Sequence, residues 1–254
     1  MNNTSHIKTF AAALIMAFGI SQLTHAATLP GEPLPMSQQN AVSETLSQRQ
    51  QAIPLIALYM ASSNMEKLHQ ALNQGLDAGL TISEAKEILV QLYAYTGFPR
   101  SLNALNVLMK VVDERKQRGI QDEAGKDPIA AVPTGDALRQ LGIANQTKIS
   151  GGPVQGPLFE FAPVINQFLQ AHLFGDIFAR DNLDWQSREL ATVGALAATP
   201  GVEAQLLSHT RASIRVGLTS EQLRQLAGIL SKQGENGAAA RLEHALQQAL
   251  SSAK

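Results

Sequence analysis

Apolar residues recur along most of the chain at the spacing of one helix face rather than in strict alternation. Leu68, Leu72 and Leu76 stand at i, i+4 and i+8, and Val202, Leu206 and Val216 mark a second such face. No run alternates as a half-buried strand would. The pattern predicts two helical blocks, at about 43–118 and 158–250. Between them, residues 119–157 hold Pro128, Pro133, Gly135, Gly151, Gly152, Pro153, Gly156 and Pro157, and read as a Gly/Pro-rich linker.

The two blocks repeat one another. Gly79-Leu80-Thr81 and Gly217-Leu218-Thr219 lie 138 residues apart. Each predicts a helix that ends at Gly and a following helix capped by Thr, with Glu84 and Glu221 close to capping-box positions. Each capped helix is followed by a further glycine, Gly97 or Gly237, and then another helix in which Leu102 corresponds to Leu242. The order helix–Gly–Leu–Thr–helix–Gly–helix occurs twice, so the expected fold class is all-α, a tandem repeat of helical units.

The N-terminus has Lys8, an apolar run from Phe10 to Ile20, and a small-residue stretch ending in Ala26 and Ala27. This is the layout of a cleavable secretory signal, residues 1–26, too short to span a bilayer comfortably. Residues 27–42, rich in Pro, read as an extended leader. The expected mature protein is exported, periplasmic or secreted, with no membrane segment left after cleavage.

Composition narrows the chemistry. With 44% hydrophobic, 16% charged and only 5% aromatic residues, the chain can build a real core from thin helices. The formal net charge of -1 supplies no basic field for nucleic acid. The chain has no cysteine, which excludes disulfides, thiolate metal sites and thiol nucleophiles. The histidines show no His-x-x-x-His spacing, so no metal is expected. Gly151-Gly152-Pro153 lacks the Lys-Ser/Thr of a phosphate loop, and no Gly-x-Ser-x-Gly elbow occurs.

Several strings together carry a family resemblance. They are HLFGDIFARD at 172–181, LDWQSRELA at 183–191, QLLSH at 205–209, GLT at 217–219 and, in the first block, LVQLYAYTGFPRSLNA at 89–104. The chain resembles the carboxymuconolactone decarboxylase family, which shares the alkyl hydroperoxidase D-like fold, and looks like a fused two-copy member. The resemblance implies helical units that associate into oligomers. It implies a Glu and a His in the site, carried here onto Glu189 and His209. The cysteine pair of peroxidase-like members would fall near Gly201 and Ala204, so thiol peroxidase chemistry has no sulfur to run on. The first block has neither the Glu nor the His, its histidine position falling near Ala71, and reads as a degenerate structural partner.

On a helical wheel His209 falls between Val202 and Val216 on the apolar face, while Arg211 and Arg215 point roughly the other way. It reads either as a proton-transfer imidazole or as a core histidine bonded to a backbone carbonyl. Glu189 flanks the stripe of Val193 and Leu196. It could orient His209 or be a first-turn acid in a helix capped by Asp184 or Ser187. Arg188 projects from the stripe and is assigned a salt bridge or a subunit contact. His172, four residues after Phe168 and seven after Ile165, is expected to face inward. Tyr95, Arg100, Trp185 and His172 are the candidate substrate-binding residues, Arg100 as a bidentate partner for a carboxylate. Gly97-Phe98-Pro99 also reads simply as a helix stop and start, and His69 as a partly exposed surface residue.

Two functions follow. The first is an enzyme of decarboxylase-like or lactone-processing type that acts on a small carboxylated substrate without cofactor, with His209 as general acid/base supported by Glu189. The second is a non-catalytic exported oligomer that binds a ligand or partner. Either is expected to be a homo-oligomer, because thin Ala-rich helices make a shallow core alone.

Overall fold

The computed structural model describes residues 44–251. The expected signal segment and leader lie outside the described residues. Every regular element among the described residues is helical.

Ser47 opens the first helix, α1 (Gln48–Ala61), with a reciprocal capping box to Gln50. Ala52 to Ala61 are all buried, so this helix is enclosed on every side. Its neighbour is α9 (Trp185–Ala198), capped by Asp184 and buried from Ser187 to Ala197. The two pack so closely that a Cβ added at Gly194 would lie 2.5 Å from the Pro54 carbonyl oxygen. Pro54 contributes no N–H to α1, and Gly194 lets the two backbones touch there.

Amphipathic helices wrap this central pair. On one side are α2 (Met65–Asp77), α3 (Ile82–Gln91), the short α4 (Tyr93–Thr96) and α5 (Phe98–Gln117). On the other are α10 (Glu203–Arg215), α11 (Ser220–Lys232) and α12 (Asn236–Ser251). One core runs through both groups, including Ile53, Ile56, Leu68, Leu72, Ile88, Leu190, Val193, Leu226 and Leu242. The Gly-Leu-Thr turns form as expected, with Gly79 and Gly217 at positive φ. Thr81 and Thr219 each cap the next helix through a capping box. In the first box Glu84 is the partner. In the second it is Gln222, while Glu221 pairs with Arg224 at 3.0 Å.

The stretch read as a linker contains a sixteen-residue helix, α6 (Gly135–Ser150). Before it, the backbone carbonyls of Glu123 and Ala124 accept from the N–H groups of Ile82 and Ser83, covering the start of α3. After it come α7 (Pro157–Phe161), α8 (Pro163–Phe168) and a π-helical stretch, Leu169–Ile177. A second, smaller apolar cluster gathers Ile149, Leu173, Phe174, Ile177, Phe178 and Ala212 where α6, the π-helical stretch and α10 meet.

Candidate functional site

His209 sits midway along α10 and Glu189 on the second turn of α9. The Asp184 cap fixes the start of α9 by accepting from the backbone N–H and hydroxyl of Ser187, both at 2.8 Å. Glu189 therefore lies inside the helix and is fully buried, not a first-turn acid stabilised by the dipole. His209 Nδ1 lies 2.8 Å from Glu189 Oε2, and the imidazole keeps 15% of its surface exposed. A carboxylate can only accept, so Nδ1 carries a proton and Nε2 is the nitrogen left for other partners.

Tyr95 reaches this pair from the first block. Its ring meets His209 edge-on, with centroids 5.3 Å apart and planes at 82°. Burial pushes its phenol well above the ordinary tyrosine range, and the Glu189 carboxylate adds to the shift. Thr192 and the Arg188 charge oppose it. The Tyr95 hydroxyl and Glu189 Oε1 are both buried without a hydrogen-bond partner. The site thus has two unsatisfied polar atoms beside its histidine.

Behind the pair lies a polar network that crosses between α3 and α9. Arg188, completely buried, donates to Glu87 Oε1 at 3.0 Å, to Gln91 Oε1 at 2.9 Å and to the Arg180 carbonyl at 2.8 Å. Arg180 Nε bonds both Glu87 oxygens at 2.9 Å. Gln91 donates onward to the Arg188 carbonyl and the Thr192 hydroxyl. Desolvation pulls the Arg188 pKa down, with Glu87 opposing. The expected salt bridge of Arg188 is therefore present, but inside the molecule.

His209 opens onto a cavity of about 250 Å³, lined also by Ile149, Phe174, Ser208, Arg211 and Arg215. The two arginines, expected on the opposite face of α10, share this cavity with the histidine. The docked α6 and π-helical stretch build a wall beyond α10 that brings both flanks of the helix into one opening.

The remaining candidates lie elsewhere. Arg100 donates to the Ser63 hydroxyl and the Thr96 carbonyl on the exposed start of α5. Trp185 donates to the Phe178 carbonyl at 3.3 Å and carries Lys148 over its ring at 4.7 Å. His172 does not face inward. It is exposed and pairs with Asp176 at 2.7 Å. Ile165 and Phe168, the residues used to orient it, are themselves exposed, and the π-helical winding from Leu169 breaks the i+4 spacing. His69 is half-exposed and pairs with Glu114 on α5. Among the described residues no group of three or more His, Asp or Glu side chains could hold a metal, and no helix is long and apolar enough to cross a membrane.

Residues 163–249, which carry both Glu189 and His209, match the model of the Carboxymuconolactone decarboxylase family. That match spans 87 of the 254 residues. Among solved structures, the chain is similar to a Burkholderia xenovorans LB400 protein named as a candidate gamma-carboxymuconolactone decarboxylase subunit. That similarity has 21% identity over 82% of this chain and 80% of the other, with a TM-score of 0.45. No curated protein matches the chain. Of the side chains that make up the network behind this pair, sequence reasoning missed Glu87 and Gln91 from the first block. Their signal was the spacing of Ser83, Glu87 and Gln91 at i, i+4 and i+8, a polar stripe that reads as solvent-facing until α9 covers it.

Proposed function

We propose that the protein is a cofactor-independent general acid/base enzyme acting on a small carboxylated substrate, by decarboxylation or by processing a lactone. The observation that carries this reading is the buried Glu189 carboxylate at 2.8 Å from Nδ1 of a histidine that opens onto a cavity. Glu189 fixes the tautomer and balances the imidazolium that forms, while Nε2 is the nitrogen that exchanges protons with substrate. In a decarboxylation the C–C bond to the carboxylate breaks and CO₂ leaves. The electron pair moves into the conjugated substrate, and the imidazolium protonates the carbon, to be reloaded from solvent. In a double-bond shift the same nitrogen removes a proton and returns it one position along.

His209→Gln should lower turnover of a responsive lactone or keto acid by about 10²–10⁴-fold, with the helical circular dichroism unchanged. Equal turnover of wild type and variant across such a panel would refute the assignment.

A second reading is an exported, non-catalytic homo-oligomer that binds a ligand. The apolar rows on the outside favour it. Phe98, Leu102 and Met109 on α5 are more than half exposed, and Phe161 on α7 is 89% exposed. Association through these rows is compatible with either reading, and light scattering of a monomer at micromolar concentration would exclude it. The matching order of α1–α2–α3–α5 and α9–α10–α11–α12 supports an origin of the two halves by duplication. Export is checked by sequencing the N-terminus of the protein recovered from the cell envelope or medium.

A further inference from the structure

The cavity beside His209 has a charge pattern that the proton-transfer reading does not use. Its lining includes two arginines, Arg211 and Arg215, and no carboxylate among the described residues. Glu189 lies behind the imidazole and is fully buried, so it faces the histidine rather than the opening. In a chain of net charge -1, this wall is locally cationic.

Arg215, an exposed residue of this lining, also packs on Gly151. A Cβ added at Gly151 would lie 2.5 Å from its Nε, 2.9 Å from its Cζ and 3.1 Å from one terminal nitrogen. The guanidinium therefore rests against the bare Cα of Gly151. Gly151 caps the C-terminus of α6 at φ +79, where the helix dipole favours a cation. Glycine supplies both the left-handed backbone and the open space in which the guanidinium lies. No carboxylate among the described residues is ion-paired with Arg215. A guanidinium with no carboxylate partner presents parallel N–H groups that match a carboxylate.

We propose that Arg215, seated on Gly151, is the specificity residue that holds a carboxylate of a small organic acid while another part of that acid meets His209. Ser208 and the apolar Ile149 and Phe174 complete a cavity smaller than the roughly 300–1,000 Å³ of drug-sized sites, which suits a short acid. This rests on the proposed function for the identity of the reacting end, but it concerns binding and is tested without turnover.

The probes are the straight-chain dicarboxylates from succinate to suberate, each beside its diamide. Binding to the full mature protein is followed by NMR of the His209 imidazole at millimolar concentration. At least one diacid should shift the His209 signals while its diamide does not. Arg215→Gln should weaken that binding by about tenfold or more. Arg215→Lys should recover only part of it, because an ammonium lacks the fork. Gly151→Ala, which displaces the guanidinium, should weaken binding of the diacid with Arg215 still present. His209→Gln, followed by calorimetry, should keep the acid bound. If no diacid perturbs His209, or if diamides or the Arg215→Gln variant bind equally well, the proposal is wrong. Arg215-dependent binding without turnover of any acid would instead overturn the enzymatic reading and leave this one standing.

Discussion

At the scale of single residues the site is set by what is buried and with which partner. Tyr95 is the clearest case, because its hydroxyl is buried without a hydrogen bond and beside the Glu189 charge. Its folded pKa lies above its unfolded value near 10, so the stability contributed by the neutral phenol is full below that value. That contribution is lost progressively as pH rises above it. Tyr95→Phe removes a hydroxyl whose polar neighbour Thr192 already bonds Gln91 and the Arg188 carbonyl, and it should stay within about 1 kcal/mol of the parent at neutral pH. In alkaline unfolding followed by circular dichroism, the variant should hold its fold to higher pH than the parent. Coincident alkaline curves would show that Tyr95 is solvated in solution. His209 and Glu189 were singled out by the family resemblance, and their place on or beside apolar stripes, where a polar side chain needs a partner, left both a catalytic and a structural reading open. The sharing of one cavity by Arg211, Arg215 and His209 was not legible at this scale. It depends on a wall from residues 135–177 that no helical wheel of α10 contains.

At the scale of elements, local chemistry was the most legible part. The Gly-Leu-Thr strings state a helix end and a helix cap in three residues, and both form. Thr81→Ala and Thr219→Ala should each cost about 1 kcal/mol in urea unfolding, by loss of the cap to the third helical N–H. An unchanged midpoint in either would mean that tertiary packing alone starts that helix. Less legible were α6 and the π-helical stretch, whose mutual approach is at Gly142 and Gly175, glycines inside the elements rather than at the punctuating positions 135, 151, 152 and 156. Gly194 shows the same effect in the core. Its absent Cβ would collide with the Pro54 carbonyl, so Gly194→Ala must push α1 and α9 apart despite the higher helix propensity of Ala. The expected result is a loss of about 1–3 kcal/mol rather than a gain. A stabilised variant would mean that the two helices are not in backbone contact.

At the scale of the whole molecule, the two sides of the central helix pair are joined by charge as well as by core. Glu87 on α3 receives Arg188 from α9 and Arg180 from the segment before it, and it is 1% exposed. The separation of more than 90 residues between these partners made the link invisible to any local pattern. A buried guanidinium is tolerated only while its counter-charge is present. Glu87→Gln preserves shape and some hydrogen bonding but removes the charge that balances Arg188, which has no solvent to turn to. Loss of such a partner typically costs about 3–5 kcal/mol, far more than an exposed ion pair. The double variant Glu87→Gln with Arg188→Met removes the stranded charge as well and should recover much of that loss, leaving Arg180 free to turn to solvent from its partly exposed position. Urea unfolding of the parent, both single variants and the double variant forms a complete cycle. A strongly favourable coupling would mean that the halves are held in register by this pair, and through Gln91 and Thr192 on the same helices that the distance from Tyr95 to His209 is held with them. Additive losses would assign the register to the apolar core of α1 and α9 alone.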